Sequence, residues 1–428
     1  MVDFDVIIVG AGPAGSVAAS VLAKEGKSVL VIERGAYAGA KNMTGGRLYS
    51  HALKKLFPQF EEEAPLERKI THEKISLISA QGNTTLDFTS PALGIAGQDS
   101  YSVLRAPFDQ WLASQAEAAG AEYIYGIAVE SLIIEDGRVC GVCAGDDMIR
   151  AHVTILADGV NSLLAASAGL GAKLSPHRMA VGVKEVIELP EQVIEDRFLC
   201  EPQEGCAWLF VGDATKGHVG GGFLYTNRGS LSLGIVATLS DLCKSRVPIY
   251  QMLEDFKNHP AMRPVLKNGK TVEYSGHLIP EGGYRMVPTL YGNGCMVAGD
   301  AAMLCMNLGY QVRGMDLAIA SGECSAHAAR EALETGRYDK EALSSYEGRL
   351  RESFVLRDMQ ASADFPDFME STSRLFKGYP EMCQAIFQSL FVVDGKPGRP
   401  LGKKLLSPVK ELGLMNVLKD ARKGVKAL

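Results

Sequence analysis

The sequence predicts an α/β fold: an open, largely parallel sheet flanked by helices, interrupted by a β-rich insertion and followed by a helical C-terminal region. Three observations predict it. An apolar strand runs into Gly-x-Gly-x-x-Gly over residues 6–15, and the strand-to-glycine pattern returns at Gly299. Between about 181 and 289 the texture changes to alternating strands separated by glycine-rich turns.

The elements follow in chain order. Val6-Ile7-Ile8-Val9 reads as a buried strand leading into Gly10-Ala11-Gly12-Pro13-Ala14-Gly15. The first glycine permits the turn, Gly12 lets backbone N–H groups approach a pyrophosphate, and Gly15 lets the next helix lie close to the strand. That helix, over 13–24 and opened by Pro13 and Ala14, aims its positive end at the phosphates. Residues 28–32 form a second buried strand, ending in Glu33 and Arg34. A carboxylate there accepts hydrogen bonds from a ribose diol and favours FAD or NAD over NADP, whose 2′-phosphate it repels.

The glycine-rich loop 39–47, with Lys41, Thr44, Gly45 and Gly46, is too polar for a core and is expected to lie over the cofactor. Arg105 stands just before a helix expected over 110–119, with Trp111, Leu112 and Ala116 on one face. Residues 124–135 and 138–144 read as paired strands joined by an Asp136-Gly137 turn, and 153–156 as a strand ending in Asp158-Gly159. An amphipathic helix is expected over 250–258, and a long one over 314–333 after Gly299-Asp300. The chain therefore divides into a discontinuous nucleotide-binding domain (1–180 and 290–345), a β-rich domain (181–289) and a helical region (346–428) ending in a basic segment, 419–426.

Composition narrows the function. A net charge of −6 with 44 dispersed basic residues argues against nucleic acid as a partner. Uncharged apolar stretches such as 231–239 fall well short of the ~20 residues of a spanning helix. The chain enters its first strand directly, so no signal segment is expected and the expected location is cytoplasmic. Nine scattered cysteines fit a reducing compartment. Cys140 and Cys143 have metal spacing, but a strand places them on opposite faces and no second pair completes a site. No metal site is expected, and the eight histidines show no ligand spacing.

A glycine-acid site nearly at residue 300, far from the first fingerprint, resembles the two-part FAD site of the glutathione-reductase-like flavoproteins. The resemblance implies FAD as cofactor. It places Gly299-Asp300 at the ribityl chain or pyrophosphate, Arg105 near the ribose and phosphate, and Asp158-Gly159 at the family's mid-chain motif. It also points the helix after Gly314 at the flavin pyrimidine ring, where positive helix-end potential stabilises charge on the reduced ring.

Further motifs are more specific: Gly221-Gly222-Phe223-Leu224-Tyr225 with Leu231-Ser232-Leu233-Gly234, then Pro280-Glu281-Gly282-Gly283, then Gly299-Asp300-Ala301-Ala302. These resemble the electron-transfer-flavoprotein:quinone oxidoreductases. Lys41-Asn42-Met43-Thr44-Gly45-Gly46-Arg47, Val181-Gly182-Val183-Lys184-Glu185 and Arg313-Gly314-Met315-Asp316 resemble the FixC-type branch of that family. The resemblance implies electrons passing from an electron-transfer flavoprotein through FAD to a quinone or a ferredoxin-like partner. The C-terminal iron–sulfur cysteines of the larger members are missing here, as in the FixC-type branch, which works beside a separate ferredoxin-like iron–sulfur protein. One departure is Met303, where the family usually has glycine.

No catalytic acid or nucleophile is required for such chemistry, and none is assigned. Arg313, Gly314, Met315 and Asp316 are expected at the flavin edge, with Asp316 equally suited to a helix start. Asn307 and Thr44 are candidates for flavin hydrogen bonds. Glu281 and His277 suit either proton handling or turn geometry, and Phe223, Leu224 and 231–236 either a quinone channel or a sheet core. The basic end suits either a solvated face or peripheral contact with anionic lipid at the inner face of the cell membrane. The competing functions are a geranylgeranyl-reductase-like or aromatic-monooxygenase-like flavoenzyme using NAD(P)H, and a subunit that chiefly docks partners. The reductases' aromatic segment is missing, with Trp only at 111 and 208.

Overall fold

The computed structural model describes residues 2–42 and 45–427. Thr44, an expected flavin contact, lies outside the described residues.

The first sheet begins with β1 (Phe4–Val9), α1 (Pro13–Lys24) and β2 (Val29–Glu33). After β2 the chain leaves for β3 (Gly46–Tyr49), short helices α2 (His51–Leu56) and α3 (Phe60–Glu63), β4 (Leu66–Ile78), β5 (Asn83–Thr89) and β6 (Ser100–Val103). It returns through α4 (Arg105–Ala118), β7 (Glu122–Tyr125), β8 (Val129–Glu135), β9 (Arg138–Ala144), β10 (Asp147–Leu156) and α5 (Leu163–Ser167). The second excursion comprises β11 (Met179–Glu188), α6 (Glu191–Phe198), β12 (Glu204–Gly212), β13 (Gly220–Thr226) and β14 (Ser230–Thr238). It continues through α7 (Leu239–Leu242), α8 (Ile249–Lys257), α9 (Arg263–Leu266) and β15 (Lys270–Pro280). The chain then re-enters the first sheet by β16 (Tyr291–Gly292) and β17 (Cys295–Val297), forms the small ribbon β18 (Met306–Asn307) and β19 (Val312–Arg313), and enters α10 (Met315–Thr335).

The first sheet runs β16-β17-β10-β1-β2-β7, with parallel pairing from β17 through β7. Both faces are covered, which is why β2 is buried at every position and reads as an unbroken apolar run. Helices α1 and α10 cross closely because Gly322 has no side chain: a Cβ there would lie 2.2 Å from the Ala14 carbonyl oxygen.

Three expectations need correction. The segment 124–135 is two strands, not one: β7 joins β2 in parallel, and β8 pairs antiparallel with β9. The break falls at Gly126, whose φ of 79° turns the chain. The helix expected over 110–119 begins five residues sooner, at Arg105, because Pro107 in a first turn sacrifices no helical hydrogen bond. Arg105 therefore sits on the helix rather than before it.

The second sheet, order β15-β11-β14-β13-β12-β4-β6-β3 with β5 beside β4, also reaches beyond the segment 181–289. Strand β4 pairs in parallel with β12 and carries Arg68, Lys69, Glu73 and Lys74, charges that hide it from a hydrophobic reading. Those charges are matched in place: Arg68 is fully buried and donates to Glu195 and to the carbonyls of Asn227 and Glu204. Helix α8 packs Met252, Leu253 and Phe256 into a second core with Phe198, Trp208 and Phe210.

The C-terminal region is helical: α11 (Ser345–Glu352), α12 (Phe354–Ala361), α13 (Phe365–Ser371), α14 (Gly378–Phe391), α15 (Leu401–Leu412) and α16 (Leu414–Ala427). Among the described residues no helix is long and apolar enough to cross a membrane.

Candidate FAD and quinone site

A cavity of about 710 Å³ lies between the two sheets. Gly10, Gly12, Pro13, Ala14, Glu33 and Arg34 line it from the first βαβ unit, and Lys41, Gly45 and Gly46 from the following loop. Arg105, Asp158, Gly159, Gly299, Asp300, Asn307, Arg313, Gly314 and Met315 complete the set brought together from distant parts of the chain. Gly15 does not line the cavity. It is a packing residue, since a Cβ would fall 2.0 Å from the Gly10 carbonyl oxygen.

The three fingerprint glycines thus have separable tasks. Gly10 has φ 101° and its missing Cβ would meet the Ala157 carbonyl oxygen at 2.4 Å. At Gly12 a Cβ would meet no protein atom within 4 Å, which leaves a cradle open beside the N-terminus of α1. Gly12 and Gly314 are the N-cap residues of α1 and α10, and neither helix is closed by a side-chain cap. Both helix starts line one cavity, and uncapped first-turn N–H groups there favour a ligand that carries negative charge.

The Glu33 carboxylate is held by the backbone before any ligand arrives: Oε2 accepts from Ala11 N at 2.9 Å and Oε1 from Gly35 N at 2.7 Å. Glu33 lines the cavity, and its carboxylate keeps lone pairs that would accept from a ribose diol. Arg105 is forked onto Asp109, with Nε at 3.0 Å and Nη2 at 2.9 Å from the two carboxylate oxygens. Asn42 donates to the same carboxylate. Asp109 is fully buried and ties the polar loop around Asn42 to helix α4.

Burial pushes Asp158 above the usual carboxylate range, opposed by the Ser162 hydroxyl that donates to it at 2.7 Å. Burial likewise raises Asp300, against the pull of Arg105 and His277. Asn307 donates to Glu281 at 3.0 Å, and burial raises that carboxyl despite the bond. Arg313 lines the cavity, but its guanidinium is engaged by Asp316 at 2.6 Å and Asp358 at 2.6 Å. It fixes the start of α10 against α12.

Met303 answers its departure from the family pattern. Its φ is 57°, the left-handed region glycine favours, and its side chain is buried with Val160, Met179 and Met286, behind the cavity-lining Val160 rather than in the lining itself. The bulk repacks a neighbouring core rather than narrowing the site. Met303→Gly should relieve about 1 kcal/mol of backbone cost and lose 2–5 kcal/mol, roughly, of packing. The expected result is a lower Tm in thermal unfolding with an unchanged flavin spectrum.

Sequence reasoning missed two members of this neighbourhood. Asp109 precedes the helix expected over 110–119, and only the fold shows that its carboxylate is buried between Arg105 and Asn42. Lys184 lines the cavity from β11; the sequence shows it only as part of the 181–185 motif, with no site role attached.

A cavity with two uncapped helix starts, a backbone-held acid and an open glycine cradle defines the site of an FAD-dependent oxidoreductase, and residues 5–179 match the family model of FAD-dependent oxidoreductases. Residues 179–279 match the ubiquinone-binding model of ETF-QO, and residues 365–428 the C-terminal domain of the ETF-QO/FixC family. The chain belongs to the ETF-QO/FixC family. It is 51% identical over 425 residues, 99% of each chain, to a probable electron transfer flavoprotein-quinone oxidoreductase, YdiS, of Escherichia coli K12. It is equally similar, over the same share of both chains, to protein FixC of Escherichia coli O157:H7. Among solved structures, a geranylgeranyl bacteriochlorophyll reductase-like protein from Thermoplasma acidophilum aligns with TM-score 0.73 at 21% identity, covering 98% of this chain and 99% of that one. The halogenase CndH aligns at 0.67 and 18%, covering 97% of each. These two share the fold.

Proposed function

We propose that this protein takes electrons from an electron-transfer flavoprotein and passes them through FAD to a quinone, or to a separate ferredoxin-like iron–sulfur protein. One observation carries the reading: a single cavity is lined from all three family-matched segments. Phe223, His277 and Ile279 come from the segment matching the ubiquinone-binding model, and Phe365, Phe368, Met369 and Phe376 from the C-terminal match. An apolar wall of this kind suits a quinone ring beside a polar nucleotide channel.

FAD supplies the electron transfer itself. The chain holds and surrounds it. Gly12 and the first turn of α1 receive the pyrophosphate, Glu33 the ribose, and the start of α10 the pyrimidine edge of the ring. Glu281, raised by burial against the opposing bond from Asn307, lines the cavity as a carboxyl group that relays a proton to a reduced quinone and is itself reprotonated. Stopped-flow reduction tests the reading: a reduced electron-transfer flavoprotein should bleach the flavin rapidly, NADH and NADPH should not, and a soluble quinone should restore the colour. Rapid reduction by NADPH would sink the assignment in favour of a reductase or monooxygenase.

The quinone reading extends to the membrane. Helices α15 and α16 expose Leu401, Leu405, Leu406, Leu414, Met415, Leu418 and Val425, beside exposed Lys403, Lys410, Lys419, Arg422 and Lys423. An unpartnered apolar helix face ringed by cations suits peripheral attachment to anionic lipid. Serine at Leu414, Met415 and Leu418 together should weaken flotation with anionic vesicles at least tenfold, roughly the loss of one buried leucine. Unchanged flotation would remove the membrane from the proposal.

A further inference from the structure

Strand β11 carries a charge where the sheet calls for an apolar residue. Lys184 is 1% exposed and lies opposite Gly234 of β14 and Ser275 of β15. Its Nζ donates to the carbonyl of Gly45 and faces the cavity. No side chain fits at Gly45: a Cβ would stand 2.1 Å from the Ser232 hydroxyl and 3.7 Å from the Lys184 Nζ. The next residue, Gly46, has the Met315 sulfur 3.6 Å from its Cβ position, and Met315 is the first residue of α10. A buried ammonium therefore stands one loop residue from the helix start that faces the reactive end of the cavity.

We propose that Lys184 is the proton-linked cation of the redox site: it stands against the negative charge of the reduced flavin and takes up a proton from solvent as the ring is reduced. The balance is complete. Two electrons and one proton enter the ring, and a second proton enters the Lys184 amine. On reoxidation by a quinone, two electrons and both protons leave together, as a hydroquinone requires. The inference rests on the FAD site and, for the fate of the protons, on the quinone reading above.

Burial, then the Arg105 guanidinium, pushes Lys184 down to about 7, with Glu273 opposing. The charged groups around it are Arg105 on α4 and Glu273 and His277 on β15, with Arg34 and Asp300 acting on His277 in turn. Burial lowers His277 below its ordinary value, so its titration falls at lower pH than that of Lys184.

The test is the flavin midpoint potential of the intact protein, measured across neutral pH by spectroelectrochemical titration for wild type, Lys184→Arg, Lys184→Met and His277→Gln. Below about 7 wild type and Lys184→Arg should agree, since both are cationic. Above it wild type should fall away by up to a further tenfold in reduction constant per pH unit, about 30 mV for a two-electron couple. Lys184→Met should lie at least tenfold lower at acid pH and show no bend. Wild-type and Lys184→Met curves that coincide would overturn the proposal. So would a bend that survives in Lys184→Met and disappears in His277→Gln. Should Lys184→Met fail to retain FAD, Lys184→Arg decides alone, because a curve parallel to wild type throughout leaves no titrating lysine. Reduction by NADPH in place of the flavoprotein donor would change the functional reading and leave these curves untouched.

Discussion

Alanine at Gly15 is expected to unfold the nucleotide-binding sheet, whereas alanine at Gly12 should leave the fold intact and weaken FAD retention. The two positions differ in what a single methyl group meets. At Gly15 it would overlap the Gly10 carbonyl at 2.0 Å, where the first turn of α1 lies against the end of β1 and both partners are backbone. Neither can move without breaking the register of β1 against β10, so the cost is about 3 kcal/mol or more. At Gly12 the methyl meets no protein atom within 4 Å, and it enters the open space in which we propose that the pyrophosphate is held. Urea unfolding of the apoprotein and flavin content after purification separate the outcomes. Equal urea midpoints for the two variants would show that the crossing of strand and helix is looser than the geometry implies.

Asp109→Ala should be nearly as damaging, by a different route. The carboxylate is fully buried, accepts both prongs of Arg105 and receives Asn42. Removing it leaves a guanidinium without its partner, a change that costs about 3–5 kcal/mol in buried pairs. It also frees the loop that carries Lys41 and Gly45, so flavin content should fall with stability. The paired replacement Arg105→Met with Asp109→Leu should recover much of the Tm, because neither member of the pair is left stranded and Asp300, already raised by burial, takes up a proton once Arg105 is gone, while FAD retention stays low. Recovery of both would mean that Arg105 contributes packing alone.

The legible parts of this protein are those where one local rule governs. Strands β1 and β2 are covered on both faces and therefore uniformly apolar, and the glycine fingerprint states its own geometry in spacing. Strand β4 was illegible because Arg68 and Lys74 find partners on other elements, and nothing local distinguishes a matched charge from a solvated one. The pair β7 and β8 merged in the reading because both alternate and only a short turn at Gly126 separates them. Most of the expected cofactor residues meet in one cavity, since each belongs to a motif at the end of a strand or start of a helix. Lys184 and Asp109 act through tertiary contacts, with Gly45 and with Asn42, and carry no spacing that would announce them.

The route of the chain has a consequence for how the protein is made. It crosses from the first sheet to the second after β2, returns after β6, leaves again after β10 and returns after β15. Neither sheet is finished until residues near 280 and 297 have been placed, because β15 closes one and β17 the other. A ribosome therefore releases no finished sheet until β15 and β17 have been made, and a single nick between β2 and β15 leaves both cut ends held by strands of the two sheets. Thermal unfolding should therefore show no stage at which one sheet has melted and the other persists, because each is threaded by chain that belongs to the other.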